Sequence, residues 1–213
     1  VADVTMTDLR QIEEIRLVGL PRSTRSTETS TDSHTRRETK YFGLEWSREK
    51  LVVASILEIM PHPNADRLVL CRLQDGEREH TVLTGAPNLF PYKGKGELES
   101  PLKVAYAKEG AQIYDGHQPG QVATTLKRTK IRGVESYSMV CSEKELGISD
   151  EHEGVIILDD DAPVGVPLVD YMGDAVLDIA ITPNIARDAN VYGVAREIAA
   201  ITGKQLRVPM NKW

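Results

Sequence analysis

Cysteine is scarce in this 213-residue chain: Cys71 and Cys141 are the only two. They are too few and too far apart for a disulfide framework or a Cys-x-x-Cys metal site, so the reading is a pair of reduced thiols in a cytoplasmic protein. Aromatic residues make up only 5% of the chain. The core therefore falls to Val, Ile, Leu and Ala, and any base-stacking surface is limited to a few Tyr and Phe side chains. No apolar run approaches the ~20 residues a membrane span needs. The N-terminus also lacks the positive region and apolar core of a secretory signal, so no membrane partner is expected. Phosphate-binding glycine signatures are missing too. Gly94, Lys95 and Gly96 do not form a GxxxxGK[ST] or GxGxxG pattern between a strand and a helix.

What is present is charge, 26 basic against 32 acidic side chains, for a formal net charge of −6. An acidic total argues against a nucleic-acid partner, because Lys and Arg supply most of the affinity for phosphate backbones. The distribution reverses that argument. Residues 1–50 hold nine basic and nine acidic side chains, residues 51–142 hold eleven and ten, and residues 143–213 hold six and thirteen. The acid sits in the last third.

The chain divides by texture. From Pro21 to Lys40 half the residues are Ser or Thr and no large apolar side chain occurs. Such a segment buries too little to offset its ordering entropy and reads as a flexible linker over 21–43. Before it, alternation at Ile15, Leu17 and Gly19 predicts a short strand. After it come short apolar runs broken by turn residues: Leu51 to Ile59, closed by Pro61 and Pro63; Leu68 to Leu73; His80 to Leu83 after the Asp75-Gly76 turn; Leu102 to Ala107; Ile113 to Tyr114; Val122 to Ile131; and Val155 to Leu158. Closely spaced strands with Gly and Pro punctuation predict a small closed barrel over 44–159. Beyond it, Val176 to Ile181 alternates as a strand. Ala189 to Thr202 has apolar residues at helical spacing, with Gly203 as a C-cap. Residues 1–20 and 160–213 are expected to form a second, discontinuous module into which the barrel is inserted.

The chemistry-bearing segments are few. Lys127, Arg128, Lys130 and Arg132 fall in one strand candidate, where alternation puts Arg128, Lys130 and Arg132 on one face about 6–7 Å apart. That is the order of the phosphate repeat of a nucleic-acid strand, and equally the pattern of a charged, aggregation-resistant edge strand. His62 to Leu68 reads as a turn, with His62 available to a nearby carbonyl and no spaced partners for metal or catalysis. Cys141 lacks an adjacent base and reads as a buried thiol. Glu143, Glu145, Asp150, Glu151 and Glu153 read as a solvated acidic loop, and Ser142 to Gly147 as one helical turn. No catalytic constellation stands out.

Four segments together carry a resemblance: HPNADRL at 62–68, LTGAPN at 83–88, TLKRTKIRGVES at 125–136 and SMVCSEKELG at 138–147. They resemble the tRNA-binding domain shared by the bacterial phenylalanyl-tRNA synthetase beta subunit, the methionyl-tRNA synthetase C-terminal appendix and free-standing tRNA-binding proteins. EGVIILDDDAPVG at 153–165, DIAITPN at 178–184 and GVAREIAAITG at 193–203 resemble the phenylalanyl beta subunit specifically. The resemblance implies a mostly β chain with α+β surroundings, in which an oligonucleotide-binding (OB) β-barrel is inserted into a small winged-helix-like α/β module. It implies a non-catalytic tRNA-binding portion of a class II phenylalanine-tRNA ligase. No cofactor belongs to this part, and ATP and magnesium belong to the whole enzyme. Its partners would be tRNA, the rest of the beta subunit and the catalytic alpha subunit in a heterotetramer. The expected RNA contacts are Lys127, Arg128, Lys130, Arg132 and Lys144, with Tyr137 and Tyr114 as stacking candidates. A purely architectural interaction module is the alternative. Ile185 to Asp188 depart from the usual Arg-Pro-Asp-Cys after TPN, and residues 91–101 look like a lengthened barrel loop.

Overall fold

The computed structural model describes residues 12–20 and 40–207. The expected linker therefore lies largely outside the described residues. In chain order the strands are β1 (Ile12–Gly19), β2 (Lys40–Glu45), β3 (Leu51–His62), β4 (Ala65–Gln74), β5 (Glu79–Thr84), β6 (Glu97–Ala107), β7 (Gln112–Tyr114), β8 (Ala123–Thr125), β9 (Thr129–Ile131), β10 (Val134–Ser136), β11 (Met139–Val140) and β12 (Asp174–Ile179). The helices are α1 (Glu143–Leu146), α2 (Leu168–Met172) and α3 (Val191–Thr202), with 3-10 segments at Pro87–Tyr92 and Pro183–Asp188. Strand dominates.

The central sheet has the order β11-β6-β3-β4-β5, with every pairing antiparallel. Its two outer strands, β5 and β11, lie against each other. At the centre, β3 is buried along Leu51 to Ile56, and its two faces feed two different clusters. Leu51 and Val53 pack with Trp46, Ala105, Tyr114, Cys141 and Leu168. Val52, Ala54 and Ile56 pack with Cys71, Leu73, Leu89, Val104 and Tyr106. A strand buried on both faces needs the near-continuous Val/Ile/Leu run found there. Pro61 does not end β3 as the sequence reading expected: its partner β6 is last matched at Glu58↔Glu97, so the missing N–H of Pro61 faces no strand on that side. His62 receives a hydrogen bond from the Asn64 N–H at Nδ1, 3.0 Å, rather than donating to a carbonyl.

Other expectations shift in detail. Residues 97–101, read as loop, are the first half of β6, where Glu97 binds Arg72 of β4. Val155 to Leu158 is no full strand; its ladder pairing with β6 is limited to an isolated bridge, Ile157↔Val104. Ser142 opens the short α1 through a capping box with Glu145. Glu145 is half-buried, and its desolvation raises its carboxyl above the ordinary range against the hydrogen bonds from Ser142. Gly147 closes α1 at φ 76°, and a Cβ there would stand 2.7 Å from the Tyr114 ring, so glycine is required on both counts. Burial pushes the Cys71 thiol up to about 12 and lifts that of Cys141 well above its usual value. Both cysteines are free.

The described residues divide into two compact units, one of residues 17–20 with 43–175, the other of residues 12–16, 40–42 and 176–207. Residues 160–175, expected in the small module, pack on the β unit. Leu168 and Ala162 enter its core, and Val166 and Gly165 exchange backbone hydrogen bonds with Val53. In the other unit, Asn190 caps α3 by accepting from the Gly193 N–H at 2.8 Å. β1, β2 and β12 form a three-stranded sheet in the order β12-β1-β2.

Candidate nucleic-acid interface

The segment expected to be one basic strand is two. β8 pairs with β7, while β9 pairs with β10 in a hairpin that registers Lys130 opposite Glu135. Between them the chain is anchored at Leu126, whose N–H donates to Ala111 and whose carbonyl accepts from Gly110. The hairpin turn is Arg132-Gly133, with φ 51° and 92°. Two successive positive φ values are the signature of the tight turn whose twist matches paired strands. The row of Arg128, Lys130 and Arg132 on one strand face therefore does not form. Arg128 precedes β9, Lys130 lies within it and Arg132 sits in the turn.

The cations differ in their surroundings. Lys127, Lys130 and Arg132 are exposed and make no ion pair among the described residues. Arg128 is held by Glu109 at 3.0 Å and Glu135 at 3.4 Å, and its guanidinium lies over the Tyr137 ring, 4.6 Å from the centroid. Hydrogen bonding to Glu109 raises its already high pKa. Lys144, expected on phosphate, turns instead to the Gly116 carbonyl at 2.8 Å and ties α1 to the loop after β7. Tyr114 is buried in the core against Gly147 and offers no stacking face, so Tyr137 alone of the two aromatic candidates stands at the surface.

Beside Arg128 opens a cleft of about 330 Å³ whose lining includes Arg78, His80, Lys108 and Tyr137. Sequence reasoning missed it, because its walls come from β5, the end of β6 and the segment around β10. Under the cleft lies Asp75. Its carboxylate accepts from the Glu77 and Arg78 N–H groups, each at 3.0 Å, and from Lys108 Nζ at 2.9 Å, and it meets His80 Nε2 at 3.0 Å. Burial alone would raise the Asp75 carboxyl, but these donors outweigh it and hold it well below the ordinary carboxylate range. Tyr106, tilted against the His80 ring, is pushed up to about 12 by burial. The one signal for this network was the Asp75-Gly76 turn; its pairing with Lys108 is long-range.

The exposed side of the central sheet is electrically different. Arg72 of β4 binds Glu58, Glu79 and Glu97, one cation among three carboxylates. That cluster carries an excess of negative charge. Among the described residues no group of three His, Cys, Asp or Glu side chains could hold a metal ion. No described helix is long and apolar enough to cross a membrane.

The match to known families falls on this unit. Residues 51–167 match the family model described as "Putative tRNA binding domain". The chain belongs to this tRNA-binding domain family. Among its relatives, the phenylalanine--tRNA ligase beta subunit of Dehalococcoides mccartyi is 47% identical over 149 residues, 70% of this chain and 17% of the relative. That of Rhodospirillum rubrum is 46% identical over 150 residues, again 70% and 17%. That of Geobacter sulfurreducens is 44% identical over 163 residues, 76% and 18%. The chain thus spans less than a fifth of the length of these relatives. Among solved structures, a MetRS related protein from Pyrococcus horikoshii aligns at TM-score 0.37 and 20% identity, covering 55% of this chain and 86% of that one.

Proposed function

We propose that this chain is the non-catalytic tRNA-binding portion of a phenylalanine-tRNA ligase beta subunit, acting in the cytoplasm beside a catalytic alpha subunit in a heterotetramer. The family match over 51–167 together with the exposed cations at 127–132 is the observation that supports it. In this reading the β unit is an OB barrel, a build supported by the closure of β5 against β11 and by the central β3 shared between β4 and β6. The small unit with α3 is its winged-helix-like companion. ATP and magnesium belong to the rest of the enzyme.

Mechanistically, Lys127, Lys130 and Arg132 sit on a short hairpin held in shape by its turn and by the Leu126 anchor. They meet the phosphate backbone, while the three-carboxylate face around Arg72 discourages RNA from the central sheet. Affinity then comes from counterion release, which sets a measurable salt slope. The test is tRNA binding by the intact chain across a salt series. Replacing Lys127, Lys130 and Arg132 with Ala is expected to lower affinity and flatten the log–log slope by about one unit per lost contact. An unchanged slope overturns the assignment. An architectural role without RNA is favoured by one observation, the exposure of Val191 and Tyr192 on α3. Absence of tRNA binding at low salt by the folded chain would decide for it.

A further inference from the structure

We infer that the cleft bounded by Arg78, Lys108, Arg128 and Tyr137 receives one unpaired nucleotide of a single-stranded RNA segment, displacing Glu109 from Arg128 as it enters. This rests on the RNA-binding reading above and names what part of an RNA the unit would take.

Four features point to a nucleotide. The first is size: about 330 Å³ is at the small end of ligand clefts, room for a single nucleotide unit and not for a base pair. The second is the spread of cations over three separate elements. Arg78 is exposed and makes no ion pair among the described residues. Lys108 is bound to Asp75 through Nζ, and an ammonium has three N–H donors, so donors remain for a phosphate oxygen. The third is the layered stack of Arg128 on Tyr137. The Arg128 side chain is 54% exposed, so its outer face is open, and guanidinium planes and aromatic rings are the surfaces on which unpaired bases stack. The fourth is rigidity. Asp75 fixes the 75–80 turn and Lys108 together, so the cationic rim is already in place before a ligand comes.

The cleft also holds carboxylates. Glu79 and Glu109 stand on its rim, and Glu109 occupies the very guanidinium that a phosphate would seek. A nucleotide phosphate must therefore compete with Glu109, which keeps intrinsic affinity low and makes it sensitive to that one charge. A duplex offers its phosphates without a free base and gains nothing from the Tyr137 layer. The cleft accordingly selects single strands.

The experiment is fluorescence anisotropy with a short labelled single-stranded RNA, its duplex, and adenosine monophosphate as competitor, all on the intact chain. The single strand is expected to bind more tightly than the duplex. Arg78→Gln and Tyr137→Leu should each weaken the single strand about tenfold, within the range that one lost stacking or phosphate contact spans. Tyr137→Phe should restore the tight binding, which a fold-supporting role for the hydroxyl would not allow. Glu109→Gln should tighten it severalfold. Near-UV circular dichroism identifies any variant that fails to fold, and Glu109→Gln, being exposed, keeps the test decisive if Tyr137→Leu does. Equal affinity of Arg78→Gln and wild type, or no gain in Glu109→Gln, overturns the inference while tRNA binding through the hairpin stands. Tight binding of the mononucleotide with none of the single strand assigns the cleft to a free nucleotide and also overturns it. No binding of tRNA at any salt removes the RNA reading itself.

Discussion

Asp75 holds four donors on one buried carboxylate, and that arrangement is costly to disturb. Asp75→Asn replaces one acceptor oxygen with an amide that cannot accept, leaving part of the Lys108 and His80 pairing unmatched in a buried place. Removing one partner of such a pair costs on the order of 3 kcal/mol. The sign of the pH dependence follows from the depressed carboxyl. Because its folded value lies below the ~3.9 of an unfolded Asp, its stabilisation is present in full above that value and fades as pH falls toward the folded one. Urea unfolding of both proteins should therefore show a constant gap between about pH 5 and 7 that narrows below about pH 4. A gap that stays the same down to pH 3 would remove Asp75 from this role. The residue scale also separates cations of one sequence cluster. Arg128 enters binding already paired, Lys144 is spent on Gly116, and Lys127, Lys130 and Arg132 remain open to solvent.

At the scale of elements, the hairpin β9-β10 is the part whose geometry rests on one turn. A Cβ at Gly133 would meet nothing within 4 Å, so the cost of Gly133→Ala is conformational, about 1 kcal/mol or somewhat more for an L-residue at positive φ. Faster amide exchange over Thr129–Ser136 with unchanged protection of β3 is the expected result; equal protection throughout would show that the turn does not govern the hairpin. The same hairpin marks the limit of sequence reading. β3 and the second half of β6 were legible because both-face burial demands their near-continuous apolar runs, and β4 because Val69, Cys71 and Leu73 alternate as its one buried face. The split between β8 and β9 was not, since Leu126 is fixed by backbone partners at Gly110 and Ala111, fifteen or so residues upstream. Nor was the first half of β6, where Glu97 and Glu99 read as loop until Arg72 arrives from another strand to hold one of them. α1 was readable from Ser142, Glu145 and Gly147, all local. The candidate site follows the same division. Its hairpin cations could be read off one segment, whereas its cleft is assembled from three.

For the molecule as a whole, a net charge of −6 turns out to be a poor guide to partners. Acid is concentrated in residues 143–213 and, within the β unit, on the sheet face around Arg72, while the exposed cations of the hairpin stand clustered at Lys127, Lys130 and Arg132 without ion-pair partners among the described residues. An incoming polyanion meets repulsion over one surface and attraction over another, which favours a single docking orientation more than it raises affinity. The two free cysteines have a practical corollary. Cys71 and Cys141 are wholly enclosed, and their thiols stay protonated at any pH at which the protein would be handled. Maleimide chemistry needs an accessible thiolate. The native chain should accept no label until it unfolds, so a single cysteine introduced at Lys127 would be tagged alone, giving a clean spectroscopic reporter of the hairpin without deleting either natural thiol.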